Sequence, residues 1–384
     1  MVTQSILEKF GDIRTPFYYY DLNVLRATLD ILKRESENYG YKAHFAIKSN
    51  YNPRILKTIA LYGFGADCVS GNEITAAIEA GFNPSEIVFA GVGKTDREIE
   101  LALKAGIFCF NCESVPEMEV INCLAARQNK VAGIALRINP HVEAHTHKYI
   151  TTAVEESKFG INIPELDSVV SKLSELKNLK LTGMHFHIGS QITKMSVFRN
   201  LCAKLNELQH WFSSKGIFLE VVNVGGGLGI DYNDPSKLPQ FEEYFALFNE
   251  LVELLPGQTL HLEPGRSITG QCGSLISRVV FIKTGVSTQF AIIDAGMTDL
   301  IRPALYQAHH KIENLSSNGK TCLYDVVGPI CESSDVFAKA VELPESQRGD
   351  FIAIRSAGAY GEAMASRYNL REIPASYFSD DFCA

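Results

Sequence analysis

The chain has 384 residues, 46% of them hydrophobic, and its 36 Lys and Arg against 44 Asp and Glu give a formal net charge of −8. That length is more than one hydrophobic core usually supports and suits two modules, and an acidic balance without basic tracts argues against nucleic acid or anionic membranes as partners. No run approaches the ~18 consecutive apolar residues of a membrane span, and the opening MVTQSILEKFGDIRTP lacks a signal peptide's apolar core, so a cytoplasmic location is expected.

In chain order, a strand-like run FYYYD (17–21) precedes a helical stretch over 22–36. Eight apolar strand-like runs follow at 43–48, 66–69, 87–90, 107–111, 133–138, 181–187, 219–224 and 259–263. Helical-period stretches separate them at 54–62, 73–80, 96–105, 116–127, 165–177, 196–212 and 241–254. Short apolar runs alternating with helices indicate a buried parallel sheet. Eight such units, with no glycine-rich dinucleotide loop after the first strand, predict an α/β fold of the (β/α)8 TIM-like type over 22–265. From residue 274 the character changes to SLISRVVFIKTG, QFAIIDAG, TCLYDVVGP and DFIAIRSAGAYG, separated by turn signals. This predicts a second, mostly β domain, a β-barrel or sandwich, from 1–21 plus 266–384.

The predicted strands end on polar groups: Lys48, Asp67 with Ser70, Gly91 and Gly93, Asn111, Arg137, His187 with Ser190, the glycines 225–227, and Glu263 with Arg266. The C-terminal strand ends of such a barrel form one face, so these groups can converge on one pocket. Lys48 after an apolar run is either a surface lysine or a partly desolvated amine able to attack a carbonyl as a Schiff base. In the run 223–231 (NVGGGLGID), Gly225, Gly226 and Gly227 can close backbone N–H groups around a phosphate, though any tight turn uses glycine. In HFHIGS, alternation sends His185 and His187 to one side, with His187 nearer the mouth. His187 is either structural or able to stack on a planar ring, and Ser190 is a further phosphate donor. Glu263 could keep a pyridine nitrogen protonated or simply pair with Arg266. Beyond the barrel, RPALY, GPICESSD and GAYGE offer Arg302 for bidentate carboxylate binding, Glu332 for an ammonium group and Cys331 as a thiol.

The nine cysteines are an odd number, mostly within apolar runs, which fits reduced thiols. Cys109 and Cys112 form a CxxC, but no second ligand pair stands nearby, so a buried strand end is expected and no metal.

Taken together, TPFYYYD, FAIKSN, GADCVSGNE, HTHKYI with ESKFGI, HFHIGSQI, NVGGGLGIDY, EPGRSI, DAGMTDLIRPALYQAHH, VVGPICESSDVFA and GAYGEAMASRYN resemble the fold-type III pyridoxal-phosphate decarboxylases, from about residue 15 to 370. The resemblance implies pyridoxal 5'-phosphate as cofactor, carried on Lys48, with His187 stacked on the ring and Glu263 at the pyridine nitrogen. It also assigns Asp67, Ser190, Gly225, Gly226, Gly227, Pro264, Gly265, Arg266 and Tyr360 to the cofactor. Arg266, Arg302, Tyr306, Glu332 and Tyr360 fall to the substrate. It further implies a homodimer in which Cys331 and Glu332 reach the partner's site, with Cys331 the first choice of proton donor and Lys48 the second. The implied reaction converts meso-2,6-diaminopimelate to L-lysine and CO2, the last step of lysine biosynthesis. The alternative is a related decarboxylase acting on carboxynorspermidine, ornithine or arginine. Asn72, Thr298 and His309 depart from the usual pattern, and His309 could alter the substrate end.

Overall fold

The computed structural model describes residues 4–142 and 158–382. HTHKYI and the first two residues of ESKFGI lie outside the described residues, as does Cys383. The chain forms two compact units, one of Leu29–Gly229 with Gln240–Gly265, the other of the chain up to Thr28, Ile230–Pro239 and everything from Arg266 on.

The first unit is a closed (β/α)8-like barrel. Its strands are Lys42–Ala46, Gly65–Cys68, Ile87–Phe89, Cys109–Cys112, Ala132–Asn139, Leu179–His185, Val221–Asn223 and Thr259–Leu262. Each pairs in parallel with the next, and the last closes on the first through His261 opposite Lys42 and Leu262 opposite Ala43. The strands read as apolar runs because both faces are covered, by neighbours inside and helices outside. Local chemistry starts and stops those helices. Asn52, Ser70, Thr95 and Ser114 cap N-termini with their side chains, and Gly81 and Gly106 end helices in left-handed geometry at φ 103° and 70°.

Most element boundaries differ from the sequence expectation by a residue or two, and three of the differences bear on the site or are larger. The first strand stops at Ala46, and Lys48 stands on a single tight turn, Ile47–Ser49, closed by Asn50 N donating to Ile47 O at 2.9 Å. The sixth strand stops at His185, because the glycine loop after the seventh lies against the next residue: a Cβ on Gly225 would sit 2.1 Å from Phe186 O. The helix expected over 165–177 is shorter, Leu166–Leu173.

The second unit is an eight-stranded, mostly antiparallel β structure. Phe17–Tyr20 pairs antiparallel with the long strand Gly273–Thr284 and parallel with Ala375–Phe378. All four of its residues are buried. Phe10, Phe17, Tyr19, Ile276, Phe351 and Ala353 form one core cluster, with Phe10 edge-on to Phe17, Tyr19 and Phe351. No helix among the described residues is long and apolar enough to cross a membrane. Cys109 and Cys112 both lie buried in the fourth barrel strand, where burial pushes the Cys109 thiol up to about 12. They are packed strand residues, with Cys109 Sγ 3.4 Å from Thr182 Oγ1.

Candidate active site

Within the barrel, the strand ends assemble a charged cluster around Glu263, just past the eighth strand. Its Oε1 accepts from Asn223 Nδ2 at 2.8 Å and Asn111 Nδ2 at 3.2 Å, and its Oε2 lies 2.9 Å from His185 Nε2. A carboxylate only accepts, so His185 carries its proton on Nε2. Burial opposes ionisation of Glu263, but the His185 charge and hydrogen bond, with Lys48 nearby, outweigh it and hold the carboxyl below the usual carboxylate range. Arg266 is therefore not needed to neutralise Glu263.

Across the cluster, Lys48 Nζ donates to Asp67 Oδ2 at 3.0 Å; the lysine side chain is 33% exposed and the aspartate fully buried. Burial, then the Glu263 charge, push the Asp67 carboxyl up against the pull of Lys48. Of the two carboxylates, Glu263 is the harder to protonate, because it has three donors where Asp67 has one. His187 lies at the same end, and burial, then the charges of Lys48 and Arg137, push its imidazole well below the ordinary range and keep it neutral. Arg137 has a structural partner: its Nη1 donates to Glu113 Oε1 at 2.6 Å, while Glu113 Oε2 accepts from Gly160 N at 2.8 Å.

The glycine run forms a cradle that side chains would fill. Gly225 and Gly227 adopt φ 71° and 114°, and a Cβ on Gly226 would lie 2.3 Å from Glu263 O. Asn223 Oδ1 accepts from Gly225 N at 2.8 Å, fixing the turn. The segment holding Ser190 runs alongside, through Ile192 N donating to Gly227 O at 2.8 Å. Pro264 O accepts from Ala46 N at 3.1 Å, and a Cβ on Gly265 would press on Ala46 and Ser49 at about 3.0–3.1 Å, so the Glu263 and Lys48 turns pack backbone to backbone.

The second unit carries its own polar group. Arg266 Nη1 donates to Tyr232 Oη at 2.6 Å, and its guanidinium lies 4.8 Å from the Tyr360 ring. Arg302 Nη1 donates to the same Tyr232 Oη at 2.7 Å and to His310 Nε2 at 2.8 Å. Tyr306 ends the short helix Arg302–Tyr306. Cys331 and Glu332 are exposed on a loop after Thr321–Val327; Glu332 Oε1 accepts from Tyr368 Oη at 2.5 Å. Asp335 holds that loop, accepting from Met297 N at 2.6 Å and Ile330 N at 2.7 Å. His309, the sequence departure, is exposed, whereas its neighbour His310 is buried.

The barrel cluster therefore gathers Lys48, Asp67, His187, Glu263 and the 225–227 loop with Asn111, a strand-end group already expected there, and with His185, given no role in the sequence reading, and Asn223, which it passed over. Strand alternation and the strand-end positions of Asn111 and Asn223 were the available signals. The set fits a phosphorylated pyridoxal. It has an accessible amine, a backbone cradle that excludes Cβ atoms, an ionised carboxylate, and two buried polar atoms, Asp67 Oδ1 and His185 Nδ1, without a hydrogen-bond partner.

Comparison with known proteins agrees. The family model for the pyridoxal-binding domain of pyridoxal-dependent decarboxylases matches residues 26–270. Diaminopimelate decarboxylase of Bacteroides thetaiotaomicron is 57% identical over 378 residues, 98% of each chain. That of Aquifex aeolicus is 41% identical over 369 residues, 96% of this chain and 86% of the relative. The crystal structure of the Helicobacter pylori diaminopimelate decarboxylase complexed with L-lysine superposes with a TM-score of 0.92 at 38% identity, covering 98% of this chain and 94% of that one. With a matched pyridoxal-binding domain and full-length relatives of one type, the chain belongs to the pyridoxal-dependent decarboxylases, in their diaminopimelate decarboxylase family.

Proposed function

We propose that this chain uses pyridoxal 5'-phosphate to decarboxylate meso-2,6-diaminopimelate, releasing CO2 and forming L-lysine as the closing step of lysine biosynthesis. The family match and full-length relatives support the reaction, and the observation that carries it is the Glu263 carboxylate, held ionised by His185, Asn111 and Asn223 beside the Lys48 amine. When bound, the cofactor supplies an electron sink for the pair left behind as CO2 departs.

The remaining steps belong to side chains. Glu263, held ionised, would keep a pyridine nitrogen protonated when the cofactor is bound, and the neutral His187 would stack on its ring. Asp67 holds the Lys48 amine, which would carry the cofactor. The 225–227 cradle, with Ser190 and Gly265, would hold the phosphate, and Arg266 and Tyr360 are proposed as further cofactor contacts. Arg302, with Tyr306 and Tyr360, would take a substrate carboxylate, and Glu332 the distal ammonium. Cys331 delivers the final proton, with Lys48 its alternate. Both Cys331 and Glu332 are exposed within the chain, which suits service to a partner's site in a homodimer. The eight described cysteines are free thiols, in keeping with a reducing, cytoplasmic location.

The test is to incubate the protein with pyridoxal phosphate, reduce with borohydride, map the modified peptide, and separately follow CO2 and lysine release. Cofactor mass on Lys48 and lysine from meso-diaminopimelate are expected. Attachment elsewhere would overturn the role of Lys48, and turnover only of ornithine, arginine or carboxynorspermidine would overturn the substrate.

A further inference from the structure

In the second unit, one phenol is shared by two guanidinium groups, and the arrangement leaves a single edge of one of them open. We propose that His310 and Tyr232 are positioning residues that turn Arg302 so that its Nε–Nη2 edge faces a substrate carboxylate. The inference rests on the reading of Arg302 as a carboxylate binder.

Arg302 is 4% exposed, and both hydrogens of its Nη1 are used, one on Tyr232 Oη at 2.7 Å and one on His310 Nε2 at 2.8 Å. Its Nε is buried without a hydrogen-bond partner. Because guanidinium is a rigid planar fork, fixing Nη1 at two points fixes where Nε and Nη2 aim. A buried N–H on a cation is costly when unpaired, and two parallel N–H groups match the two oxygens of a carboxylate.

The two supports are themselves held. His310 Nδ1 lies 2.8 Å from the Arg355 carbonyl oxygen, which only accepts, so the ring proton sits on Nδ1 and Nε2 keeps its lone pair for Arg302. Burial and the Arg302 charge push the imidazole down to about 3, so it remains an acceptor at working pH. The guanidinium carbon of Arg302 lies 5.0 Å from the centre of the Tyr232 ring, whose edge meets His310 at 4.9 Å and 77°. The Tyr232 loop is pinned by Gln271 Nε2, which donates to Lys237 O at 2.6 Å and Pro235 O at 3.2 Å. Asp231 Oδ1 accepts from Asn233 N and Asp234 N at 2.9 and 3.1 Å within the same loop. Neither Tyr232 nor His310 needs to touch substrate to act in this way.

The experiment compares steady-state kinetics on meso-diaminopimelate with calorimetric binding of pimelate, a dicarboxylate probe, to the borohydride-reduced holoenzyme. His310→Leu is expected to raise KM and weaken pimelate binding about tenfold or more, as expected for loss of a hydrogen bond to a charged group. It should leave kcat and pyridoxal phosphate affinity near wild type. His310→Gln should restore both values, since its amide can accept from Arg302 and donate to Arg355 O. Should His310→Leu not fold, Tyr232→Phe carries the test. It keeps the ring, loses the shared oxygen, and is expected to raise KM while also loosening the cofactor through Arg266. Unchanged KM in the folded variants, or failure of Gln to restore it, overturns the positioning role. Arg302→Ala separates the two readings: if it raises KM while the His310 and Tyr232 variants do not, only this inference fails. If Arg302→Ala itself leaves KM and pimelate binding unchanged, the carboxylate assignment fails beneath it.

Discussion

Three donors on Glu263 leave its carboxylate little freedom to rotate or to take a proton. Glu263→Gln puts an amide NH2 among donors and removes the charge, so kcat should fall on the order of 10²–10³-fold, the scale for losing a preorganised electrostatic partner. Steady-state kinetics on cofactor-saturated variant would show it, and near-normal kcat would mean that the charge at 263 is dispensable. Cys331→Ala should bind cofactor as the parent does and turn over slowly; a parental kcat would pass proton delivery to Lys48. Lys48 and Glu263 were legible in the sequence because each follows an apolar strand run directly. His185, Tyr232 and His310 were not, because their work is done through partners remote in sequence, such as Glu263 for His185 and Arg302 for Tyr232.

Among the elements, the glycine loop after the seventh strand is the least tolerant of change. A Cβ at Gly225 would meet Phe186 O at 2.1 Å in a backbone already at φ 71°, so Gly225→Ala should destabilise the protein by about 1–3 kcal/mol and weaken pyridoxal phosphate binding. Urea unfolding with and without cofactor measures both, and a loss of stability without loss of affinity would deny the loop its phosphate role. The closure of the barrel carries a different signature. His44 Nε2 lies 2.9 Å from His261 Nδ1 between the first and eighth strands. Burial lowers both histidines, and the His44 charge lowers His261 further. With folded values below the unfolded one of about 6.5, the unfolded chain binds more protons, so the stability they contribute is full above that pH and fades as pH falls below it. Relative to a His44→Gln, His261→Gln double variant, the parent should lose up to about 1.4 kcal/mol per pH unit for each histidine below about 6.5. A constant difference between pH 7 and 5 would show that the pair titrates normally. The eight-strand alternation announced the barrel because fully covered parallel strands must be apolar. Where each strand stopped was not legible, since the stops depend on what the neighbouring loop places against the backbone, as Gly225 does at Phe186.

At the scale of the whole molecule, the proposal that two subunits share each site makes a mixing test decisive. Lys48→Ala and Cys331→Ala subunits, each impaired alone, should regain about a quarter of parental activity when mixed and re-equilibrated, because half of randomly assorted twofold dimers are mixed and each has one intact site. No recovery would place Lys48 and Cys331 in the same chain's site. The core of the second unit sets its stability: Phe10→Ala, which empties the centre of an aromatic cluster, should lower it by about 3–5 kcal/mol in urea unfolding. The strand Phe17–Tyr20 lies between Gly273–Thr284 and Ala375–Phe378. Its residues leave the ribosome before the barrel strands and find their neighbours only after the entire barrel sequence has been made. During synthesis the barrel sequence is therefore complete while the aromatic FYYY segment still waits unpaired, and the nascent chain must keep that segment from other edges until its own C-terminal strand emerges.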